Sequence, residues 1–217
     1  MRQVVGKRVV DLSPAGFADL RARYRAVLLD VGTGDGKHVL HLARNRPDWL
    51  IVGLDANADR MRKASSRAAA NPARGGLPNA IFVWAPVERL PAELRDVREL
   101  HVLMPWGSLL RGAVGGDEAI LTRLAQACAP GAAFLVTLNL HAWRPPVPEV
   151  GDLPEPTPDW ATGELARRYA AAGLRLDEAT YLHQSEIEAL ATSWTKRLGS
   201  SRAALDVLAL RGTARPS

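Results

Sequence analysis

Ala26-Val-Leu-Leu-Asp-Val-Gly-Thr-Gly-Asp-Gly-Lys37 is the stretch around which the rest of the chain is organised. Its apolar run, Val27 to Val31, is continuous rather than alternating, which predicts a buried parallel strand. Glycines follow at alternate positions (Gly32, Gly34, Gly36), and then a helical pattern from Lys37 to Arg44. Glycines at a strand-to-helix turn permit unusual dihedrals and let a ligand approach the backbone. The helix start offers unpaired N–H groups to a negatively charged group. About 20 residues further on, Leu50-Ile-Val-Gly-Leu-Asp55 reads as a second buried strand ending in an acid, placed to bind two ribose hydroxyls. Together they form one nucleoside-binding half of a doubly wound sheet.

The loop spacing narrows the choice of nucleoside. A dinucleotide fingerprint is G-x-G-x-x-G, whereas here it is G-x-G-x-G, with Asp30 ending the strand just before it. A carboxylate there would repel a pyrophosphate but suits the ammonium of an amino acid. S-adenosylmethionine (SAM) carries such an ammonium, so SAM is favoured over NAD or a plain structural turn. The candidate cofactor residues are Asp30, Gly32, Thr33, Gly34 and Asp35 in the loop, Asp55 and Ala56 after the second strand, Ala85 and Glu88 after the third, and Met104.

Composition sets outer bounds. At 217 residues and 47% hydrophobic content, the chain is expected to be one domain, 1–217, with a real core. Lys and Arg number 28 against 23 Asp and Glu, a mild basic excess compatible with an RNA partner and shared by many plain enzymes. The single Cys128 excludes an internal disulfide and lies in an apolar helical pattern, as a small core residue in a reducing compartment would. There is no signal-peptide pattern, and no apolar run approaches the roughly 20 residues of a membrane span. A soluble, cytoplasmic monomer without membrane partners is expected.

Along the chain, Val4 to Val10 has a Gly-Lys centre between β-branched pairs and predicts a hairpin, an appendage within residues 1–12. Ser13-Pro14 starts a helix through Arg25. Asn57 to Ala70 reads as a helix whose Arg60, Arg62, Lys63 and Arg67 are either a solvated face or an RNA footprint. Asn79 to Ala85 is the third strand, with Glu88 placed near the adenine edge of a cofactor or simply favoured by a helix start. A fourth strand from Glu99 runs into an irregular loop through Ser108, and Asp117 to Ala129 reads as an amphipathic helix. Ala132 to Leu140 is the fifth strand; residues 141–158 are too rich in proline for regular structure and are expected to wall the substrate side. A helix from Asp159 to Ala172, a sixth strand from Leu174 to Leu182, a loop at 191–202 and a last strand from Ala204 to Leu210 complete the reading.

Two loops carry the chemistry. Met104, Pro105 and Trp106 follow the fourth strand, at the point where strand order reverses, and the flat face of Trp106 suits stacking on a base. The alternative is a tryptophan that merely covers the sheet end. Methylation of an exocyclic amine is helped by an Asp or Asn followed by two prolines and an aromatic. Met104 and a single proline stand here instead, which leans towards an endocyclic nitrogen with its own lone pair. The second loop places Trp194 among Thr192, Ser193, Lys196, Arg197 and Arg202, the composition of a base-and-phosphate contact. Trp106 and Trp194 are thus candidates to sandwich one flipped base. No histidine pair has metal-ligand spacing and no serine or cysteine lies in a nucleophile motif, so neither a metal nor covalent catalysis is expected.

These runs resemble a known family. Asp30-Val-Gly-Thr-Gly-Asp-Gly-Lys37, His101-Val-Leu-Met-Pro-Trp-Gly-Ser-Leu-Leu-Arg111, Asn139-Leu-His-Ala-Trp-Arg144 and Thr192-Ser-Trp-Thr-Lys-Arg197 are similar to the bacterial 16S rRNA (adenine-1408-N1)-methyltransferases, the kanamycin–apramycin resistance enzymes. The likeness runs almost end to end. It implies a Rossmann-like class I SAM-dependent methyltransferase with a seven-stranded, mostly parallel sheet and an N-terminal β-hairpin extension. The implied substrate is the decoding-site adenine in helix 44 of 16S rRNA within the 30S subunit. By resemblance, Trp106 and Trp194 stack on the flipped adenine, Pro105 and the Thr192-Ser193 segment help form its pocket, and Asp30, Asp55 and Glu88 serve SAM. Arg197 and Arg202 would support rRNA binding or catalysis. Competing readings are methylation of another RNA such as tRNA, a SAM enzyme for a small natural product, and a non-catalytic rRNA-binding module.

Overall fold

The computed structural model describes residues 1–144, 149–150, 152–192 and 206–215. The strands are β1 (Arg2–Val5), β2 (Arg8–Asp11), β3 (Ala26–Val31), β4 (Trp49–Asp55), β5 (Ala80–Trp84), β6 (Val97–Leu103), β7 (Cys128–Asn139), β8 (Leu174–Tyr181) and β9 (Val207–Ala214). The helices are α1 (Pro14–Arg21), α2 (Lys37–Asn45), α3 (Ala58–Ala68), α4 (Gly107–Gly115), α5 (Glu118–Ala127), α6 (Pro158–Trp160), α7 (Ala166–Ala171) and α8 (Gln184–Ala189). A π-turn over Ala161–Leu165 joins α6 to α7.

One nine-stranded sheet runs in the order β2-β1-β5-β4-β3-β6-β7-β9-β8. The central five strands, β5 to β7, pair in parallel, and both flanks are antiparallel. This corrects the expected seven-stranded, mostly parallel sheet. The hairpin supplies the extra strands, because it does not hang from the domain: Gln3 pairs with Val83 of β5 and Val4 is buried. Its two-residue turn is Gly6-Lys7, with Gly6 at φ 58°.

The apolar run of β3 is buried on both faces. Leu29 and Val31 join one core with Leu50, Leu100 and the residues of α4 and α5. Leu28 faces the other core, with Val39 of α2, Met61 of α3 and Phe82. Cutting one such fully buried leucine to alanine costs about 2–5 kcal/mol. Val27, Leu29 and Val31 therefore hold one helical layer and Leu28 the other, which fixes the register of the loop that follows.

Several boundaries differ from the sequence reading. α1 ends at Arg21, not Arg25, while its cap is as read: Ser13 Oγ accepts from Gly16 N at 3.1 Å. Helix α4 begins directly at Gly107, so the irregular loop after β6 is only Met104 to Trp106. Cys128 is not helical; it opens β7, with Pro130-Gly131 inside an irregular stretch where the β6 pairing shifts register. Burial pushes its thiol up to about 12, which leaves it an inert core group. The last strand is displaced to Val207–Ala214.

Candidate active site

The loop after β3 is built from three left-handed glycines, Gly32 at φ 75°, Gly34 at φ 59° and Gly36 at φ 71°. A side chain at Gly36 would place its Cβ 2.4 Å from the Phe82 ring and 2.8 Å from Ala64 Cβ, so only glycine lets α2 start this close to the sheet. Gly34 differs: nothing lies within 4 Å of where its Cβ would be. The loop is laced to the end of β4. Gly32 N and Thr33 N donate to Leu54 O at 2.8 and 3.0 Å. Gly34 N donates to Asp55 Oδ2 and Asn57 N to Asp55 Oδ1, both at 2.8 Å. Asp55 thus shapes the loop and also lines the cavity.

That cavity, about 340 Å³, opens where the carboxyl ends of β3 to β6 meet. Its size falls in the ordinary range for small-molecule sites, about 300–1,000 Å³. Asp30, Gly32, Thr33, Gly34, Asp35, Asp55, Ala56, Ala85, Glu88 and Met104 all line it, as do Pro105, Trp106 and Thr192. Asp30 and Asp55 are buried at the strand ends, whereas Glu88 sits exposed in the short turn Val87–Arg89. Thr33 Oγ1 is buried without a hydrogen-bond partner among the described residues. A buried hydroxyl, an open glycine and two carboxylates at the strand ends are what a zwitterionic nucleoside such as SAM needs, so the residues fit that cofactor.

Met104 governs the other wall. It is a buried non-glycine residue at φ 48°, a conformation that costs about 1–3 kcal/mol and persists only where neighbours impose it. The imposing neighbour is Thr137 of β7, whose backbone O and side-chain Oγ1 accept from Met104 N at 2.9 and 3.1 Å. The kink ends β6 abruptly. Trp106 then leaves the core as the residue capping α4, 36% exposed and lining the cavity.

Thr192 reaches the same cavity from the opposite side. Helix α8 closes at Leu190, Ala191 turns at φ 52°, and Thr192 follows. Ser193, Trp194, Lys196, Arg197 and Arg202 lie outside the described residues. Arg60, Arg62, Lys63 and Arg67 are exposed on α3, opposite its buried Met61, Ala64 and Ala68. Arg62 pairs with Asp59 at 2.7 Å, and Arg60 lines the cavity, a position its grouping with the RNA-facing residues did not anticipate.

Sequence reasoning also missed His38. It is the second residue of α2, buried, and part of the cavity lining. Burial holds its imidazole below the ordinary histidine range; Asp30 opposes this and His101 adds to it. Behind it, Glu99 is also shifted: burial would raise its carboxyl, but hydrogen bonds from His101 and Arg46 bring it down to about 2. Nothing in the local pattern around His38 marked it, because its partners are remote in sequence.

Comparison with known proteins finds relatives along nearly the whole chain. The family model described as NpmA, 16S rRNA (adenine(1408)-N(1))-methyltransferase, matches residues 2–213. A 16S rRNA (adenine(1408)-N(1))-methyltransferase of Streptoalloteichus tenebrarius is 59% identical over 216 residues, covering 100% of both chains. The crystal structure of the 16S rRNA methyltransferase KamB superposes with a TM-score of 0.94 at 59% identity, again over 100% of both chains. A tryptophan-to-alanine variant of the Catenulisporales acidiphilia 16S rRNA (adenine(1408)-N(1))-methyltransferase, solved with its cosubstrate SAM, is 37% identical with a TM-score of 0.92, covering 100% of this chain and 97% of that one. The chain belongs to the 16S rRNA (adenine(1408)-N(1))-methyltransferase family.

Proposed function

We propose that this protein transfers the methyl group of SAM to N1 of adenine 1408, in helix 44 of 16S rRNA within the 30S subunit, and so confers aminoglycoside resistance. The observation that carries the reading is the joining, in one cavity, of the acid-flanked glycine loop to the Met104-Pro105-Trp106 turn. Bound SAM supplies an electrophilic methyl on its sulfonium. Asp30 would receive the ammonium, the unpartnered Thr33 hydroxyl the methionine carboxylate, Asp55 the ribose, and Glu88 the adenine edge. Met104 offers no side-chain acceptor at the end of β6, and the turn contains a single proline. Such a wall does not hold an exocyclic N–H. It suits a ring nitrogen whose lone pair needs only alignment and exclusion of water.

Trp106 and Trp194 stack on the two faces of the target base, with Pro105, Thr192 and Ser193 around it. Arg60, Arg62, Lys63 and Arg67 on α3, with Lys196, Arg197 and Arg202, neutralise rRNA phosphates. Methylation leaves a positive charge and a methyl on the Watson–Crick edge, so a cationic drug hydrogen-bonded there meets repulsion and a clash. Incubation with methyl-labelled SAM and either 30S subunits or isolated tRNA tests the reading. Label in 16S rRNA is expected; label in tRNA alone would overturn it.

A further inference from the structure

Hydrogen bonds run in series from the cavity towards the far edge of α2. Leu190 O meets His38 Nδ1 at 2.5 Å, His38 Nε2 meets His101 Nδ1 at 2.9 Å, and His101 Nε2 meets Glu99 Oε1 at 2.9 Å. The other Glu99 oxygen accepts from Arg46. Both ends of this series, a backbone carbonyl and an ionised carboxylate, can only accept. The histidine links therefore need three protons, and two neutral imidazoles supply two. The pair must hold one more.

That proton belongs on His101. Its Nε2–H faces the Glu99 carboxylate, and its Nδ1–H then donates to His38 Nε2. His38 stays neutral, with its own proton on Nδ1 and directed at Leu190 O. The charged surroundings agree: on His38, burial and the neighbouring His101 and His41 disfavour charge, against Asp30 of β3 and the Leu190 bond. This is the arrangement by which a buried carboxylate fixes a histidine tautomer at one remove.

The recipient of that bond lies at a sensitive place. Leu190 closes α8, and its own carbonyl is the one that takes the His38 bond. Ala191 turns the chain at φ 52°, and Thr192 lines the cavity. The Leu190 side chain packs on the small core that contains Met104. We propose that His38 is a positioning residue. Locked with its proton on Nδ1 by His101, Glu99 and Arg46, it pins Leu190 O and so sets Thr192 against the cavity. The proposal rests on the reading of that cavity as the methyl-transfer site.

The test compares His38→Leu, His38→Asn and Glu99→Gln with the wild-type protein, each first checked for a cooperative melt. The readouts are SAM affinity, and kcat for methyl transfer to 30S subunits. His38→Leu should lower kcat about tenfold, the effect of one lost positioning hydrogen bond. His38→Asn keeps an N–H near the Nδ1 position and should recover most of that loss. Glu99→Gln removes the charged acceptor behind His101 and should lower kcat in the same direction, by less than His38→Leu. A His38→Leu protein with wild-type kcat, or an asparagine variant no better than leucine, would overturn the proposal. A wild-type protein that binds SAM but labels no RNA overturns the functional reading alone. The imidazole 15N spectrum near pH ~7 then decides the pinning. His38 protonated only on Nδ1 with His101 protonated on both nitrogens supports it, and any other pattern refutes it.

Discussion

Replacing Asp55 by asparagine separates the two tasks that the site assigns to one carboxylate. In the protein alone, its oxygens accept from Gly34 N and Asn57 N, each at 2.8 Å. Asparagine keeps one acceptor and turns an NH2 group towards the other N–H, so one charge-assisted bond is lost in a buried place. That loss is worth about 2 kcal/mol, or about 4–8 °C in melting temperature for a chain of this size. The glycine loop would be loosened before any cofactor binds. Loss of an ionised acceptor for the ribose should add a separate penalty, weakening SAM about 10- to 100-fold by calorimetry. Glu88→Gln is the control, because Glu88 is exposed and makes no bond to the loop. It should weaken SAM while moving the melting temperature by less than about 1 °C. An Asp55→Asn protein that melts like the wild type would refute the lacing role, and unchanged SAM affinity would refute the ribose role.

Gly36→Ala should destabilise the fold by about 2–4 kcal/mol, combining a left-handed backbone with a clash against Phe82. Gly34→Ala should cost only about 1 kcal/mol in denaturant melts, since open space surrounds it. Equal costs would show that the Phe82 contact does not decide the loop. Trp106→Ala and Trp194→Ala should each abolish methyl transfer while leaving SAM affinity intact, and a loss of SAM binding in either contradicts base stacking. Glu99 contributes stability in one direction. Its folded pKa of about 2 lies below the ordinary carboxyl value of 4.5, so its share is complete above pH 4.5 and lost as pH falls towards about 2. Glu99→Gln should therefore flatten the stability curve between those limits, and an unchanged acid limb would argue against the His101 and Arg46 bonds.

The centre of the molecule was legible because its signals are local. A continuous apolar run predicts a strand buried on both faces, and β3 is one; alternate glycines before a helical pattern predict the loop, and its glycines are left-handed. The flanks were harder. That β1 docks on β5 is a pairing between residues about 80 positions apart, which no window of sequence contains. Cys128 sits at a helix-to-strand change where an apolar run satisfies either period, and the strand begins there although Pro130-Gly131 interrupts it. Helix α4 was hidden by Gly107, Gly112, Gly115 and Gly116, which lower its propensity, while Leu109, Leu110 and Val114 bury it in the core. In the site, residues on strand ends could be placed in advance, since the doubly wound architecture brings those ends together. His38 could not, because its role comes from His101, Glu99 and Leu190, which only the fold assembles.

The most direct test of the central claim is primer extension across helix 44, after purified 30S subunits are incubated with the protein and SAM. A methyl on N1 blocks base pairing, so the account predicts a reverse-transcriptase stop next to adenine 1408 that needs both protein and SAM. Read-through at that adenine, by a protein that binds SAM, would contradict it.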